Sequence, residues 1–280
     1  MPLATTKAML LDAQRAGCAV PAFNAENMEM VQAIVQAAQE MGSPVIIQTT
    51  PSTIKYAGLD YFYAMVSAAA EHATVPIALH LDHGESFALA CAALRAGYTS
   101  IMIDGSHLPF DENAVLTRKV AEVCDACGVP VEAELGMVGG KEDDRVGTSG
   151  GYTEPEDAAK FMRETGVGSL AVGIGTAHGF YKVKPVLDVE RLSRIRAAVD
   201  VPLVLHGGTG LADDVIQDCI RRGIRKVNYA TELRAAYSSA VKEAFAGDPD
   251  IIDPKKFGKP ARERVMELVK HKIAVCRMGA

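Results

Sequence analysis

Three histidines of this 280-residue chain follow apolar, strand-like runs. They are His83 in IALHLDHG, His178 in LAVGIGTAHG and His206 in PLVLHGG. A parallel barrel delivers the side chains at its strand ends to one mouth, so the three imidazoles could converge on a single metal ion. Three nitrogen ligands with an open fourth position are what a catalytic zinc ion needs. A histidine beside an apolar run is more often a satisfied structural residue, so this hypothesis depends on the neighbouring residues.

Eight short β-rich runs alternate with longer amphipathic segments along the chain. The runs cover 19–23, 44–48, 76–81, 100–104, 130–135, 169–174, 202–206 and 226–229. Eight strand–helix units without a break in composition predict one α/β domain over 1–280, a (β/α)8 TIM barrel. A doubly wound open sheet is the alternative, but no GxGxxG follows the first run.

Length and composition agree with one large catalytic domain. The chain is 49% hydrophobic and 23% charged, which is enough to bury a full core. Its 35 acidic and 29 basic residues give a net charge of −6 without a basic block, which argues against a nucleic-acid partner. No run of about 18 or more apolar residues occurs, so we expect no membrane association and a soluble, cytoplasmic protein.

Polar side chains stand at or just after the end of nearly every predicted strand. In chain order they are Asn24, Thr49, Thr50, Asp82, His83, Asp104, Glu134, His178, His206 and Asn228. In a barrel these strand ends face the active-site mouth. Helix capping could account for Asn24, Thr50 or Asp104 taken singly. It does not account for the adjacent Asp82 and His83, so we expect a polar site at this mouth.

Two segments have the composition of phosphate-binding loops. HGGTG follows the predicted seventh strand, and NYATEL opens a helix after the eighth. Glycine-rich turns let backbone N–H groups approach an anion, and a helix N-terminus carries partial positive charge. Because the loops after strands seven and eight commonly form the phosphate site of such barrels, the two segments together predict one.

A long polar segment rich in glycine, about 136–157, is predicted to form a mobile lid loop. Most charged runs of this kind are simply solvated. Glu142, however, follows a GG hinge close behind the predicted fifth strand, so a closing loop could carry it onto a substrate. The chain beyond the eighth strand, about 232–280, is predicted to form a helical C-terminal extension.

Six motifs carry a family resemblance that spans essentially the whole chain. They are HLDHG (80–84), SIMIDGSHLPFDEN (100–113), VEAELGMVGGKEDD (131–144), GTAHGFY (175–181), LVLHGGTG (203–210) and KVNYATEL (226–233). Together they resemble the class II, zinc-dependent ketose-bisphosphate aldolases. Within that family AVPAFNAEN, PVIIQTTPST and NYATEL are closer to the tagatose-1,6-bisphosphate branch. The resemblance implies reversible cleavage of D-tagatose 1,6-bisphosphate to dihydroxyacetone phosphate and glyceraldehyde 3-phosphate.

The resemblance also implies roles for individual residues. It implies that His83, His178 and His206 bind the catalytic zinc ion. Asp82 would donate and accept the proton at the aldehyde-derived hydroxyl. Glu142 matches the lid glutamate that exchanges the proton on the nucleophilic carbon.

Further residues match the family's second acidic site and its substrate pocket. Asp104 and Glu134 match acidic positions near the metal, which are implicated in an alternative or second metal site. The implied substrate-binding set is Asn24, Gly179, Gly207, Gly208, Thr209, Asn228, Tyr229, Ala230 and Thr231, with a monovalent cation (Na+ or K+) near the phosphate. Thr50 and Lys259 are expected at the far phosphate. Two residues depart from the family pattern at the phosphate pocket: Tyr229 replaces an aliphatic residue, and Thr209 replaces a serine.

Several alternatives stay open at this point. Fructose 1,6-bisphosphate or another phosphorylated ketose could be the substrate, because the two hexoses differ only in configuration at C4. A non-catalytic partner subunit would have no reason to retain three ligating histidines and Asp82. A Schiff-base aldolase needs a lysine pointing into the barrel, whereas Lys226 is predicted to open the eighth strand at the wrong end. We expect a homodimer or homotetramer, and the resemblance allows an accessory barrel-shaped subunit.

Overall fold

Eight parallel strands close into a barrel in the computed structural model of the chain. The structure describes residues 3–142, 145–147 and 151–279, with the backbone alone for 141, 142 and 145–147. The strands are β1 Val20–Asn24, β2 Val45–Thr49, β3 Ile77–Gly84, β4 Ser100–Ile103, β5 Val131–Leu135, β6 Gly139–Glu142, β7 Arg145–Gly147, β8 Ser169–Val172, β9 Ala177–His178, β10 Leu203–Leu205 and β11 Ile224–Tyr229. The barrel order is β1-β2-β3-β4-β5-β8-β10-β11, and β11 pairs with β1 to close the ring. The predicted single-domain (β/α)8 fold is confirmed.

Helices connect the barrel strands and cover the outside of the barrel. They are α1 Thr6–Ala16, α2 Met28–Met41, α3 Pro51–Ala57, α4 Leu59–Glu71, α5 Phe87–Ala96, α6 Phe110–Ala126, α7 Pro155–Thr165, α8 Val189–Ala198, α9 Asp213–Arg221, α10 Thr231–Gly247 and α11 Pro254–Arg277. Within the described residues no helix is long and apolar enough to span a membrane.

Alternation along the strands divides the buried side chains into two sets. Phe23, Ile47 and Leu79 point outward into the large core shared with the helices. Their neighbours on the other strand face belong to a separate cluster inside the barrel, which α1 closes from the amino-terminal end. That cluster is Met9, Leu10, Ala13, Val20, Ala22, Ile46 and Ala78. Covering both faces explains why barrel strands such as β3 are buried along their whole length.

A local irregularity in β3 aims two adjacent side chains into the barrel. The β3–β4 register shifts between Leu81 and Gly84, and His83 adopts a left-handed φ of 48°. A regular strand would send Asp82 and His83 to opposite faces, but here both reach the barrel mouth. Gly84 is required at this bulge because a Cβ there would lie 2.4 Å from the Met102 carbonyl oxygen. Backbone strain of this kind concentrates at functional sites.

The segment predicted as a polar lid loop contains two strands and the start of a helix. β6 and β7 pair antiparallel, with Gly140 opposite Gly147, and α7 begins at Pro155. β6 also pairs in parallel with β9, which places Gly140 in register with His178. The lid segment is therefore bonded through its backbone to the strand that carries a predicted metal ligand. Residues 143, 144 and 148–150 lie outside the described chain.

Candidate active site

The structure brings the three histidines together at the carboxyl-terminal mouth of the barrel. The ring centroids lie 4.7 Å apart for His83 and His206, 5.1 Å for His83 and His178, and 6.0 Å for His178 and His206. One ring nitrogen of each lies within 4.8 Å of the corresponding atoms of the other two. His83 and His206 are buried and His178 is partly buried. Three imidazoles at this spacing form a donor set suited to a transition metal.

Carboxylates contact one ring nitrogen of each of two of these imidazoles. Asp104 Oδ2 lies 2.9 Å from Nδ1 of His83, and Glu132 Oε1 lies 3.0 Å from Nε2 of His206. Such contacts fix the tautomer and the orientation of a metal-binding imidazole. His83 would accordingly bind through Nε2 and His206 through Nδ1.

Asp104 is held as a carboxylate despite its burial. Burial favours the neutral acid, but hydrogen bonds from His83 and Ser106 hold the pKa of Asp104 well below its usual range. Ser106 donates from its backbone nitrogen at 3.0 Å and from its hydroxyl at 2.7 Å. Asp104 therefore supplies a fixed negative charge beside His83.

Glu134 contributes a second acidic group on the metal side of His206. Its Oε2 lies 3.2 Å from Nδ1 of His206. His83, Asp104 and Glu134 form a second group whose ligand atoms lie within 4.8 Å of one another. The two acidic residues predicted near the metal therefore both adjoin the histidine cluster.

Two carboxylates raise the pKa of His206. Burial disfavours its charged form, but hydrogen bonds to Glu132 and Glu134 outweigh burial and raise the pKa of His206 to about 9. A metal that binds to His206 at neutral pH must therefore displace a proton.

Asp82 lies at the centre of a buried amide cluster next to the histidines. Its Oδ2 accepts hydrogen bonds from Asn24 Nδ2 at 2.8 Å and from Gln48 Nε2 at 3.1 Å. Its Oδ1 accepts from Asn228 Nδ2 at 3.2 Å. Three donors orient a carboxylate that can only accept while it is ionised. Asn24 and Asn228, which were predicted to bind substrate, thus donate hydrogen bonds to Asp82.

Gln48 belongs to this polar cluster, although its neighbour Thr49 was predicted at the mouth. Gln48 lies in register with Asn24 on the inner face of the barrel, and it donates to Asn24 Oδ1 at 2.8 Å. Thr49 points outward and bonds the Tyr98 hydroxyl at 2.8 Å. Side chains two residues apart on a strand point to the same face, so the inward direction of Ile46 predicts that Gln48 also points inward.

The expectation that Tyr229 touches the phosphate pocket with its side chain is wrong. Tyr229 alternates with the inward Asn228, so its ring lies outside the barrel and stacks on Phe23 at 5.7 Å. Its hydroxyl lies 3.5 Å from the Cys276 sulfur, and the Lys272 amine lies 5.2 Å from the ring centroid. Burial raises the pKa of Tyr229 well above its ordinary value. Helix α11 therefore accommodates the bulk of Tyr229.

The predicted glycine turns pack closely against neighbouring backbone. Gly179 and Gly207 have positive φ angles of 88° and 69°. A Cβ at Gly207 would lie 2.5 Å from the Ala177 carbonyl oxygen, and one at Gly208 would lie 2.8 Å from that of Asn228. At these turns, the backbone that follows β10 packs against β9 and against the carboxyl end of β11. Helix α10 begins just after β11, at Thr231. Thr209 is buried in the same turn.

Tyr181 is a second residue that sequence reasoning left without a role. Its hydroxyl accepts a hydrogen bond from the Ala177 backbone nitrogen and donates one to the Gly207 carbonyl, each at 2.9 Å. It therefore ties the segment of His178 to the turn that follows His206. Tyr181 is the last residue of the GTAHGFY motif, so its position in that motif was the sequence signal for a role at the site.

The two residues expected at the far phosphate differ in their placement. Thr50 is buried after β2, where its hydroxyl lies 3.1 Å from that of Thr53. The Lys259 side chain is 69% exposed on α11, with its amine 3.9 Å from Glu263. Lys259 therefore lies on the outer helix layer, in contact with solvent and away from the histidine cluster.

Beside Thr50 and Thr53, an ion pair joins Glu26 to Arg234. Thr53 Oγ1 donates to Glu26 Oε2 at 2.7 Å, and Arg234 Nε donates to Glu26 Oε1 at 2.7 Å. Arg234 lies in the first turn of α10, which follows β11. Glu26 and Thr53 connect its guanidinium to Thr50.

Glu142 and Lys226 complete the comparison with the predicted site. Glu142 ends β6, and its side chain lies outside the part of the chain that the structure describes. The prediction that Lys226 opens its strand is wrong, because it is the third residue of β11. It points into the barrel and is fully buried, with its amine 2.9 Å from Glu132 Oε2.

Comparison with known proteins agrees with this arrangement. Residues 4–279 match the family model of class II fructose-bisphosphate aldolase, so the chain belongs to that family. The YdjI aldolase from Escherichia coli K12 is 36% identical with a TM-score of 0.86, over 98% of this chain and 97% of that one. A provisionally named fructose-1,6-bisphosphate aldolase from Coccidioides immitis is 32% identical with a TM-score of 0.87, over 96% and 94%.

A more distant relative shares the fold. The fructose-bisphosphate aldolase from Campylobacter jejuni is 23% identical with a TM-score of 0.82, over 98% of this chain and 95% of that one. Family and fold together identify the chain as a class II aldolase, a carbon–carbon lyase that acts on a phosphorylated ketose. Aldolases of this class are generally zinc-dependent.

Proposed function

We propose that this aldolase reversibly cleaves D-tagatose 1,6-bisphosphate to dihydroxyacetone phosphate and glyceraldehyde 3-phosphate, with zinc held by His83, His178 and His206. The convergence of these three imidazoles beside the buried carboxylate of Asp82 is the observation that supports it most strongly. The choice of tagatose rests on the sequence motifs. Fructose 1,6-bisphosphate is the second candidate, because the family and the Coccidioides protein carry that name.

The described residues fit a zinc ion. The donor set consists of three imidazoles, two of them oriented by carboxylates on the opposite ring nitrogen. A bound zinc ion would polarise the ketose carbonyl and stabilise the negative charge that cleavage leaves on the adjacent carbon. Asp104 and Glu134 would serve as the alternative or second metal site beside His83.

Two carboxylates divide the proton transfers in this proposal. Asp82 removes the proton of the C4 hydroxyl, which lets the aldehyde leave, and its three amide partners hold it in place for that step. Glu142 protonates the nucleophilic carbon. Its strand β6 is bonded to β9 next to His178, which supports a position for the lid glutamate close to the substrate.

Backbone turns would bind the phosphate of the dihydroxyacetone half. The turns at Gly179 and Gly207 and the start of α10 would offer N–H groups to it, whereas the Gly208 N–H already donates to the Asn228 carbonyl oxygen at 3.1 Å. A monovalent cation, Na+ or K+, would assist at this phosphate. Thr50 is retained as a contact to the far phosphate because it is buried at the mouth, whereas Lys259 is not.

The substrate assignment predicts a marked but incomplete preference. Tagatose 1,6-bisphosphate should show the higher kcat/KM, by about 10- to 100-fold over the fructose isomer, which is the scale of one well-aligned hydrogen bond at C4. Fructose 1,6-bisphosphate should still be cleaved, because both sugars share the dihydroxyacetone phosphate half. The test is kcat/KM for both sugars in one preparation. A tenfold or larger preference for the fructose isomer would place the chain in the fructose-bisphosphate branch.

Zinc binding should strengthen as the pH rises from 7 to 9. The pKa of His206 is about 9 without metal, so zinc competes with a proton below that pH and no longer does so above it. One displaced proton changes the apparent affinity by at most about tenfold per pH unit. Competition with a chromophoric chelator, corrected for the chelator's own protonation, measures this dependence. An affinity that stays constant over the range would contradict the raised pKa of His206.

A further inference from the structure

A column of buried polar side chains runs through the barrel beneath the histidine cluster. The interior of such a barrel is ordinarily filled by branched apolar residues. Here hydrogen bonds and an ion pair connect one predicted metal ligand to α1 at the opposite end of the barrel. In order from the mouth, the members are His206, Glu132, Lys226, His80, Ser100 and Thr6.

In the upper part of the column, the Glu132–Lys226 ion pair contacts the imidazole of His206. Glu132 Oε1 lies 3.0 Å from His206 Nε2, and the Lys226 amine lies 3.1 Å from Oε1 and 2.9 Å from Oε2 of Glu132. All three side chains are at least 98% buried. A buried ion pair is often no more stable than apolar residues of the same volume, so stability alone does not explain its presence.

The lower part of the column fixes the position of Lys226. The Lys226 amine lies 3.5 Å from His80 Nε2, and His80 Nδ1 lies 2.7 Å from the Ser100 hydroxyl. Ser100 in turn bonds the hydroxyl of Thr6 on α1 at 2.9 Å. Burial and the charge of Lys226 keep the pKa of His80 well below its ordinary value, so its Nε2 accepts from the lysine and its Nδ1 donates to Ser100.

Glu132 and Glu134 lie two residues apart on the same inner face of β5, yet they contact opposite nitrogens of His206. Glu134 lies on the metal side, at Nδ1. Glu132 lies one layer deeper, and Lys226 occupies both of its oxygens. The lysine therefore keeps Glu132 away from the metal side.

We propose that Glu132, held by Lys226, is a positioning residue that accepts the Nε2–H of His206 and commits Nδ1 of that imidazole to the metal. This inference rests on the proposed three-histidine zinc site. It predicts that loss of the Glu132 carboxylate weakens zinc binding without removing a ligand. Loss of such a partner typically weakens metal binding by about 10- to 100-fold, and we expect a change on the order of this size here.

The test compares zinc affinity in Glu132→Gln and in the double variant Glu132→Gln/Lys226→Met with that of the wild type. The double variant removes both charges, so it decides the question if Glu132→Gln alone fails to fold. Chelator competition gives the zinc affinity, the cobalt-substituted protein gives the ligand-field spectrum, and thermal unfolding of the metal-free protein reports folding. Glu232→Gln/Lys272→Met is the matched control, because it removes another largely buried ion pair, at 3.1 Å, between α10 and α11.

The expected result is zinc binding about 10- to 100-fold weaker in the Glu132 variants, a changed cobalt spectrum and an ordinary unfolding transition. The control should bind zinc as the wild type does. Wild-type zinc affinity and cobalt spectrum in a folded Glu132 variant would overturn the inference. Failure of the proposed function has a different signature, since His206→Ala would then bind zinc as tightly as the wild type.

Discussion

Replacing His206 with alanine should abolish both zinc binding and ketose bisphosphate cleavage. His206 lies 4.7 Å from His83 between ring centroids, and its loss would leave two imidazoles where a catalytic zinc ion uses three protein ligands. Removal of the metal by a chelator should likewise abolish cleavage by the wild type, and added zinc or cobalt should restore it. Metal content and initial rate, measured on the same samples, check both effects.

His271→Ala is the matched control for this experiment. His271 is an exposed histidine on α11 that pairs with Asp213 at 3.0 Å, outside the barrel mouth. Its replacement should leave zinc content and turnover unchanged. Full activity in a wild-type sample shown to contain no metal would overturn the mechanism.

Asp82→Ala should lower the rate of aldehyde formation by about 10²-fold or more, the usual scale for a positioned acid–base group. Asp82 is fully buried, and its three side-chain partners are amides, which cannot take over the proton transfer. Zinc binding should persist, because the three histidines remain. Hydrogen isotope exchange at C3 of dihydroxyacetone phosphate should also persist, because that step does not use the C4 hydroxyl.

Glu142→Ala provides the comparison that separates the two proton transfers. It should suppress isotope exchange in dihydroxyacetone phosphate, which Asp82→Ala leaves comparatively intact. Measuring exchange and cleavage in both variants distinguishes the roles. An equal loss of exchange in the two variants would show that the roles are misassigned.

Much of the fold could be predicted from the sequence because its periodic signals are strong. Each of the eight β-rich runs forms a barrel strand, and segments such as 27–42 form the amphipathic helices between them. The mouth of the barrel then follows from topology, since parallel strands deliver their carboxyl ends to one side. His83 and His206 could be grouped on that basis, whereas His178 lies on β9, beyond the end of barrel strand β8.

Side-chain direction at the strand ends was predicted less well. The bulge in β3 that turns both Asp82 and His83 inward depends on the close approach of Gly84 to the Met102 carbonyl, which no periodic pattern encodes. The outward direction of Tyr229 follows from simple alternation with Asn228. This alternation could be read from the sequence, but Tyr229 was placed in the phosphate pocket on the basis of the family resemblance.

Polar residues in the middle of strands were the hardest to interpret. Glu132 and Lys226 lie inside β-rich runs, and their pairing across the barrel depends on strands that are distant in sequence. The pairing of β6 with β9 was equally hidden, because a glycine-rich polar segment has no hydrophobic period to predict a strand.

The most direct test of the three-histidine zinc site is a zinc titration of the metal-free enzyme during cleavage of a ketose bisphosphate. We expect no activity at the start, a linear rise, and a plateau at one equivalent of zinc per chain. His206→Ala should stay inactive throughout the titration. Activity before any metal is added, or a His206→Ala response equal to that of the wild type, would contradict a three-histidine zinc site.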